Sequence, residues 1–181
     1  MSAFDYCPGC GRMGLTWSEG KRWKCGECGF IYYHNMAAAV AAVLLCDDRI
    51  LLSVRKHDPA RGLLDLPGGF VDPNETLEQA LTREIQEELG VDVAMKDWRY
   101  LFSFPNRYEF AGISYATSDA FFLKRFAVEP QLRVADDVED GVWTRLSQLD
   151  PGEMGLTSVR RAMQELQRRQ RLGELNGPVL E

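Results

Sequence analysis

The stretch from Gly68 to Val91, GGFVDPNETLEQALTREIQEELGV, constrains this chain more than any other. A glycine pair and an Asp-Pro-Asn turn precede a segment that is typical of a helix from Thr76 to Leu89, ending at Gly90. At about 100° per residue, three glutamates of this segment share one helix face. We therefore predict that their carboxylates converge on a common point; they are Glu84, Glu87 and Glu88.

Three carboxylates at the edge of a core repel one another and lose hydration, so they need a positive partner. Oxygen ligands of this kind favour Mg²⁺ or Mn²⁺ over Zn²⁺. The glycine pair lets the backbone run close to a ligand, which makes the Gly68 carbonyl a further candidate metal ligand. Arg83 can pair with Glu87 one turn later or with Glu75, and so fix the geometry. For the glutamates taken alone, a solvated acidic helix face is the alternative.

The spacing of the whole stretch favours the metal interpretation. Counted from Gly69, it reads G-x5-E-x7-R-E-U-x-E-E-x-G-U, where U is an aliphatic residue, and all nine fixed or restricted positions are filled. In this pattern the chain resembles the Nudix hydrolase family, and the stretch is its signature box. The Leu66-Pro67-Gly68-Gly69 segment and the Val142-Trp143 strand resemble the family too, so that the likeness covers about residues 35–175.

The resemblance implies a fold, an activity and a set of site residues. The fold is of the α+β class, an α/β/α sandwich around a mixed sheet, here over residues 35–181. The activity is metal-dependent hydrolysis of a pyrophosphate bond in a nucleoside diphosphate linked to another moiety, such as ADP-ribose, NAD(H) or a similar dinucleotide. The Mg²⁺ or Mn²⁺ ligands would be Glu84, Glu87, Glu88 and the Gly68 carbonyl, with Arg83 and Glu75 organising them.

The resemblance implies two candidates for the general base. Glu84 is the first choice, because it begins the cluster. A carboxylate of the VADDVEDG segment is the second, and Glu139 stands for this distal choice beside Asp136 and Asp137. A solvated acidic loop is the alternative for that segment.

Apart from the box, the order of elements agrees with such a fold. The AAAVAAVLL and ILLSVRK segments, on either side of Asp47-Asp48, predict a hairpin of two strands. Residues 98–104, 112–128 and 141–146 are rich in aromatic and β-branched side chains and predict further strands. A last helix is predicted from about Thr157 to Leu175. Strands mixed with two helices indicate an α+β domain or a mixed sheet between helices.

Residues 1–34 have a different character, because they hold two cysteine pairs. The pattern is C-x2-C, fourteen residues, C-x2-C, which suits a closed, structural zinc site with tetrahedral thiolate ligands. The alternative is two unrelated buried pairs. The segment resembles a zinc ribbon, an arrangement that NADH pyrophosphatase-like members of the family carry. The predicted ligands are Cys7, Cys10, Cys25 and Cys28.

The substrate has to be predicted from residues outside the box. NADH pyrophosphatases carry S-Q-P-W-P-F-P-x-S downstream, and only the Phe104-Pro105 step of it is present here. The family resemblance offers Pro105 as a sign of ADP-ribose pyrophosphatases and Tyr108 as a sign of dinucleoside polyphosphate hydrolases. On a predicted loop after a strand, Arg107 and Tyr108 are substrate-binding candidates for a phosphate and a base. Phe102 and Phe104 are predicted strand core.

Composition narrows the classes of partner. The formal charge is −6, which disfavours general binding of nucleic acid. No apolar run is long enough to span a bilayer and the N-terminus lacks a signal peptide, so a cytoplasmic protein is expected. Many family members dimerise, which makes a homodimer an expectation that no residue here indicates. The alternative function is a non-catalytic nucleotide-sensing or interaction module; the intact glutamate cluster favours catalysis.

Overall fold

The structure is a computed structural model that describes residues 4–133 and 138–175, and the side chains of residues 138–140 also lie outside this description. The chain divides into two compact units between Met36 and Ala37. The first unit holds a small antiparallel sheet in the order β1-β2-β3. Its strands are β1 (Leu15–Ser18), β2 (Arg22–Cys25) and β3 (Ile31–Tyr33).

The second unit is built on a mixed sheet of seven strands. Five of them follow the order β10-β5-β4-β9-β8, while β6 pairs with β5 and β7 with β4. The β4–β9 pair is parallel and the other pairs are antiparallel. The strands are β4 (Ala37–Cys46), β5 (Arg49–Arg55), β6 (Leu64–Asp65), β7 (Gly68–Phe70), β8 (Arg99–Phe110), β9 (Ile113–Phe126) and β10 (Val138–Arg145).

Two helices cover the two faces of this sheet. Successive side chains of a strand point to opposite faces, so Val43 of β4 packs with helix α2 (Thr157–Arg171), and its neighbour Leu44 packs with helix α1 (Leu77–Leu89). Both side chains are fully buried, and each contributes roughly 1.5–3 kcal/mol through loss of contact with water. The α/β/α sandwich around a mixed sheet, predicted from the resemblance, is confirmed.

Helix α1 begins and ends where the sequence predicts. The Thr76 hydroxyl accepts a hydrogen bond from the Gln79 N–H at 3.2 Å, and the Gln79 carboxamide accepts one from the Thr76 N–H at 2.8 Å. This reciprocal pair satisfies two N–H groups that would otherwise lack partners at the helix start. Gly90 ends the helix in the left-handed conformation, with φ of 65°. The capping therefore fixes which residues of α1 face the turn that precedes it.

One sequence prediction about β8 is wrong. Arg107 and Tyr108 were predicted on a loop after Pro105, but β8 continues to Phe110 and pairs both residues with β9. Because β8 is the last strand of the sheet path, Pro105 can lie in it without leaving a ladder hydrogen bond unmade. The last helix is also shorter than predicted, ending at Arg171.

Within the two described ranges, no helix is both long and apolar enough to cross a membrane.

Candidate active site

The glycine pair lies in β7, which runs antiparallel to β4 and directly against it. A Cβ on Gly68 would stand 2.2 Å from the Val40 carbonyl oxygen, and its φ of 144° is a conformation that other residues rarely adopt. A Cβ on Gly69 would stand 2.4 Å from Oε1 of Glu84. The missing side chains thus allow β7 to touch both the central strand and a carboxylate of α1.

Arg83 is the centre of the charged contacts around this turn. Its Nε and Nη2 donate to the two carboxylate oxygens of Glu75 at 2.9 and 3.0 Å, and Nη2 also donates to the Phe70 carbonyl at 3.2 Å. Its Nη1 donates to Oε1 of Glu84 at 2.9 Å and to Oε2 of Glu87 at 3.2 Å. Both predicted partners of Arg83 are therefore present. One guanidinium faces three carboxylates, which raise its pKa.

The three carboxylates predicted to converge have different hydrogen-bond partners in the structure. Oε2 of Glu88 accepts a hydrogen bond from the Gly68 N–H at 3.0 Å, whereas Glu84 and Glu87 turn to Arg83. Among the residues that the structure describes, the four cysteines of the first unit form the group in which three or more potential metal-ligand atoms lie within 4.8 Å of one another. The three glutamates do not form such a group. Each of the three carboxylates thus has a cationic or N–H donor that stabilises its charged form.

The carboxylates differ in their access to water. The Glu84 side chain is 16% exposed and that of Glu87 61%. Burial raises the pKa of Glu84, against the opposing effect of Arg83. The hydrogen bonds from Arg83 lower the pKa of Glu75. Glu84 is consequently the carboxylate of this cluster that takes up a proton more readily than an ordinary glutamate.

A groove of about 230 Å³ opens beside the glycine turn. Its lining includes Glu88 and Gly68, and also three consecutive cationic or titratable residues of β5 and the loop after it. Carboxylate and basic groups thus face the same space, which suits an anionic group that is bound together with cations. The three residues are Arg55, Lys56 and His57.

Arg55 forms a buried ion pair at the wall of this groove. Its Nη1 lies 2.5 Å from Oδ2 of Asp65, and its Nε donates to the Pro59 carbonyl at 2.6 Å. Burial raises the pKa of Asp65, although Arg55 acts in the opposite direction. The Asp65 carboxylate also accepts the Leu66 N–H at 2.9 Å, so the pair holds β6 in place beside β5.

Tyr108 lines this groove as well, and Arg107 does not. The Tyr108 hydroxyl lies 3.5 Å from Nη2 of Arg55, and its ring stands edge-on to Phe70 with centroids 5.4 Å apart. On its other side is an apolar pocket of about 450 Å³ that Phe110 and Tyr115 also line. Arg107 lies between Asn106 and Tyr108 on an alternating strand and points to the opposite face. The structure therefore brings one of the two predicted substrate-binding residues to the site.

The distal carboxylates cannot be placed. Asp136 and Asp137 lie outside the described residues, and so does the side chain of Glu139, whose backbone belongs to β10.

In the first unit, the structure brings the four predicted cysteines together, with their Sγ atoms within 4.8 Å of one another. The Gly9 N–H points at the Cys7 sulfur at 3.3 Å. Backbone hydrogen bonds from Cys28 and then Glu27 lower the pKa of the Cys25 thiol to about 7. Backbone N–H groups that stabilise thiolates, and four sulfurs at this spacing, suit a tetrahedral zinc ion.

Sequence reasoning missed a buried polar group next to the groove. Asp65, Asn106 and Asp119 are each less than a tenth exposed and line one cavity of about 140 Å³, although they come from three different strands. The pairing of Asn106 with Thr117 across β8 and β9 brings two of these strands together. The sequence signal that could have indicated two of them is a single charged residue next to apolar ones: Asp65 in LLDLP and Asp119 in SDAFFL.

The comparison with known families decides the identity of the second unit. The family model of the NUDIX domain matches residues 35–166. The chain belongs to the NUDIX family. The matched range includes the glycine turn, Arg83 and the glutamates of α1.

Similar proteins agree with this family. The chain is 34% identical to an ADP-ribose pyrophosphatase of Methanocaldococcus jannaschii over 117 residues, 65% of the chain and 66% of the relative. It is 26% identical to the NAD-capped RNA hydrolase NudC of Stutzerimonas stutzeri over 186 aligned residues, 99% of the chain and 61% of the relative. The chain thus spans about two thirds of the length of these Nudix relatives.

A solved structure shows the same fold. The crystal structure of a NUDIX hydrolase from Nitrosomonas europaea matches with a TM-score of 0.66 at 22% identity, and the match covers 98% of this chain and 97% of that one.

Proposed function

We propose that this protein is a metal-dependent pyrophosphohydrolase of a nucleoside diphosphate linked to another moiety, with ADP-ribose and NAD(H) as the substrate class. The observation that carries the proposal is the cluster of three carboxylates around one arginine, at a glycine turn that opens into a groove, in a member of the NUDIX family. The relatives named ADP-ribose pyrophosphatase and NAD-capped RNA hydrolase support this substrate class.

The residues of the turn fit a hard divalent cation. Glu84, Glu87 and Glu88 are oxygen donors on one face of α1, and the Gly68 carbonyl is a further candidate because the Gly68 N–H contacts Glu88. Three carboxylates, those of Glu75, Glu84 and Glu87, exceed the one guanidinium that they share. Oxygen donors with surplus negative charge select Mg²⁺ or Mn²⁺. When bound, such a cation neutralises phosphate oxygens and lowers the pKa of a water molecule.

The protein residues then have separate tasks. Arg83 and Glu75 hold the carboxylates in position through the four hydrogen bonds that Arg83 donates to Glu75, Glu84 and Glu87. Glu84 takes the proton from the attacking water, a role that suits a half-buried carboxylate with a raised pKa. Glu139 stays as the distal alternative for this base.

The groove holds the pyrophosphate. Arg55, Lys56 and His57 line its space together with Glu88, so a substrate phosphate would lie between basic side chains and the cation-binding face of α1. Tyr108 and Phe70 stand at the mouth of the apolar pocket beside it and offer ring surfaces to a base. Arg107, on the opposite face of β8, stays a candidate only for parts of the substrate that extend around the sheet edge.

The first unit is proposed as a zinc ribbon over residues 1–34, with Zn²⁺ on Cys7, Cys10, Cys25 and Cys28 and the Nudix domain over residues 35–181. Four protein ligands leave no open position for a substrate, which makes this zinc structural. A reducing compartment such as the cytoplasm keeps four thiols available for it.

A hydrolysis screen tests the proposed activity. The full chain is assayed with Mg²⁺ and with Mn²⁺ on ADP-ribose, NAD, NADH, FAD, coenzyme A and dinucleoside polyphosphates. Products containing a nucleoside monophosphate are expected, and Glu84→Gln should abolish them while the matched control Glu78→Gln, in the first turn of α1, retains them. Tight nucleotide binding without products would favour the nucleotide-sensing module instead.

A further inference from the structure

The cavity next to the groove contains a buried amide that has no partner. Asn106 is 8% exposed and lines the cavity of about 140 Å³ between the sheet and the start of α2. Among residues 4–133 and 138–175, its side chain makes no hydrogen bond, although its backbone belongs to the β8–β9 ladder. Because Asn106 lines the cavity, the donors and the acceptor of its carboxamide are available to a molecule bound there.

The other polar groups of the cavity are already engaged. The Asp119 carboxylate accepts hydrogen bonds from the hydroxyls of Thr117 and Ser158, each at 2.5 Å. The Asp65 carboxylate is held by Arg55 at 2.5 Å. These bonds fix the cavity walls and leave the Asn106 amide, with one donor and one acceptor side by side, as the group directed at a ligand.

The chemistry of this amide specifies its complement. A carboxamide matches a ring edge or a second amide that carries a donor and an acceptor next to each other, as adenine presents N6–H and N7. A cavity of this order of volume accommodates one six-membered ring, which would be the ring of nicotinamide or the six-membered part of adenine. Its remaining walls include the apolar side chains of Leu156, Val159 and Phe121, which suit the faces of a flat ring.

The cavity adjoins the proposed catalytic groove. Both are lined by Gly68, Arg55, Asp65 and Tyr108. A substrate with its pyrophosphate at the glycine turn can therefore extend one terminal group into the cavity.

We propose that the Asn106 cavity is the specificity pocket for a flat heteroaromatic group carrying an adjacent hydrogen-bond donor and acceptor. The inference rests on the proposed function for the position of the pyrophosphate. Two parts of a dinucleotide have this chemistry, the adenine ring and the carboxamide of nicotinamide. The Asn106 side chain is a specificity-determining residue in either case.

The binding of mononucleotides shows whether the cavity takes adenine or nicotinamide, and it requires no hydrolysis. The affinity of the full chain is measured by calorimetry for AMP against purine riboside 5′-monophosphate, which lacks the exocyclic amine. It is also measured for nicotinamide mononucleotide against nicotinic acid mononucleotide, whose carboxylate lacks the N–H donor. In one of the two pairs, the amine- or amide-bearing ligand is expected to bind about 5- to 150-fold more tightly.

Substitution of Asn106 should remove this preference. Asn106→Leu is expected to equalise the affinities within the discriminating pair. The melting temperature should stay unchanged or rise, because the new side chain packs against the apolar walls of the cavity. Ser118→Ala, on the exposed face of the adjoining β9, is the matched control and should keep the preference.

Two results would overturn the proposal: no preference in either pair, or a preference that survives Asn106→Leu. A protein that hydrolyses ADP-ribose but shows no preference would refute this inference alone. A protein that shows the Asn106-dependent preference without hydrolysis in the substrate screen would refute the proposed function and support the pocket.

Discussion

Gly69→Ala separates the catalytic role of Glu84 from its role in folding. A methyl group on residue 69 would stand 2.4 Å from Oε1 and 2.6 Å from Cδ of Glu84. Because non-bonded heavy atoms settle near 3.5 Å, the carboxylate must move by roughly 1 Å. The atoms that the methyl group would meet belong to the end of a flexible side chain, which can rotate away while the backbone stays in place, so the protein should fold.

Activity is expected to respond much more strongly. A misplacement of about 1 Å at a catalytic group costs about 100-fold in rate, or about 2.7 kcal/mol in activation free energy. The assay is the initial rate of ADP-ribose hydrolysis with saturating Mg²⁺, together with a thermal melt. The matched control is Gly68→Ala, whose methyl would meet the Val40 carbonyl oxygen at 2.2 Å and which should fail to fold.

The reasoning would be refuted by a Gly69→Ala protein that folds like the wild type and retains kcat/KM within about threefold. Such a result would mean that the carboxylate of Glu84 need not lie against β7 for the reaction.

Three further predictions concern two ion pairs of the second unit and the zinc site of the first. Arg55→Met should lower the free energy of unfolding by about 3–5 kcal/mol in urea titrations, because it leaves Asp65 as an unpaired buried charge, and adding Asp65→Leu should recover most of the loss. Arg168 lowers the pKa of Glu165 from 4.5 to about 2. The free energy of unfolding of the wild type should therefore exceed that of Glu165→Gln by its full amount above pH 4.5, and the difference should vanish as the pH falls to 2. Equal stability of the two proteins at pH 7 would contradict this. Cys25→Ser should lower the zinc content from one ion per chain when measured by mass spectrometry, and an unchanged content would exclude the four-sulfur site.

The sequence predicts those features that depend on local spacing. The capping box at Thr76, the helix end at Gly90 and the sulfur cluster all follow from residues close together in the chain or in paired motifs. The sequence did not predict that β8 continues through Pro105. A strand tolerates a proline when it lies at the edge of a sheet, and the position of β8 in the sheet depends on the topology.

The sequence predicts which residues belong to the candidate site but not the hydrogen bonds that they make. The helical period places the three glutamates on one face, but the hydrogen bonds of Arg83 and Gly68 decide where their carboxylates point. The Asn106 cavity could not be predicted, because it is assembled from strands whose register is set by long-range pairing. Spacing along one element therefore predicts which side chains share a face, whereas a cavity lined by several strands requires the tertiary structure.

Titration with Mn²⁺ tests the central claim most directly, namely that the carboxylates of α1 hold the divalent cations. Free Mn²⁺ is followed by electron paramagnetic resonance in the zinc-loaded wild type, in Glu84→Gln, in Glu88→Gln and in the control Glu78→Gln. The account predicts at least one bound Mn²⁺ in the wild type and in Glu78→Gln, and loss of that binding in the other two variants. Equal Mn²⁺ binding in all four proteins would contradict it.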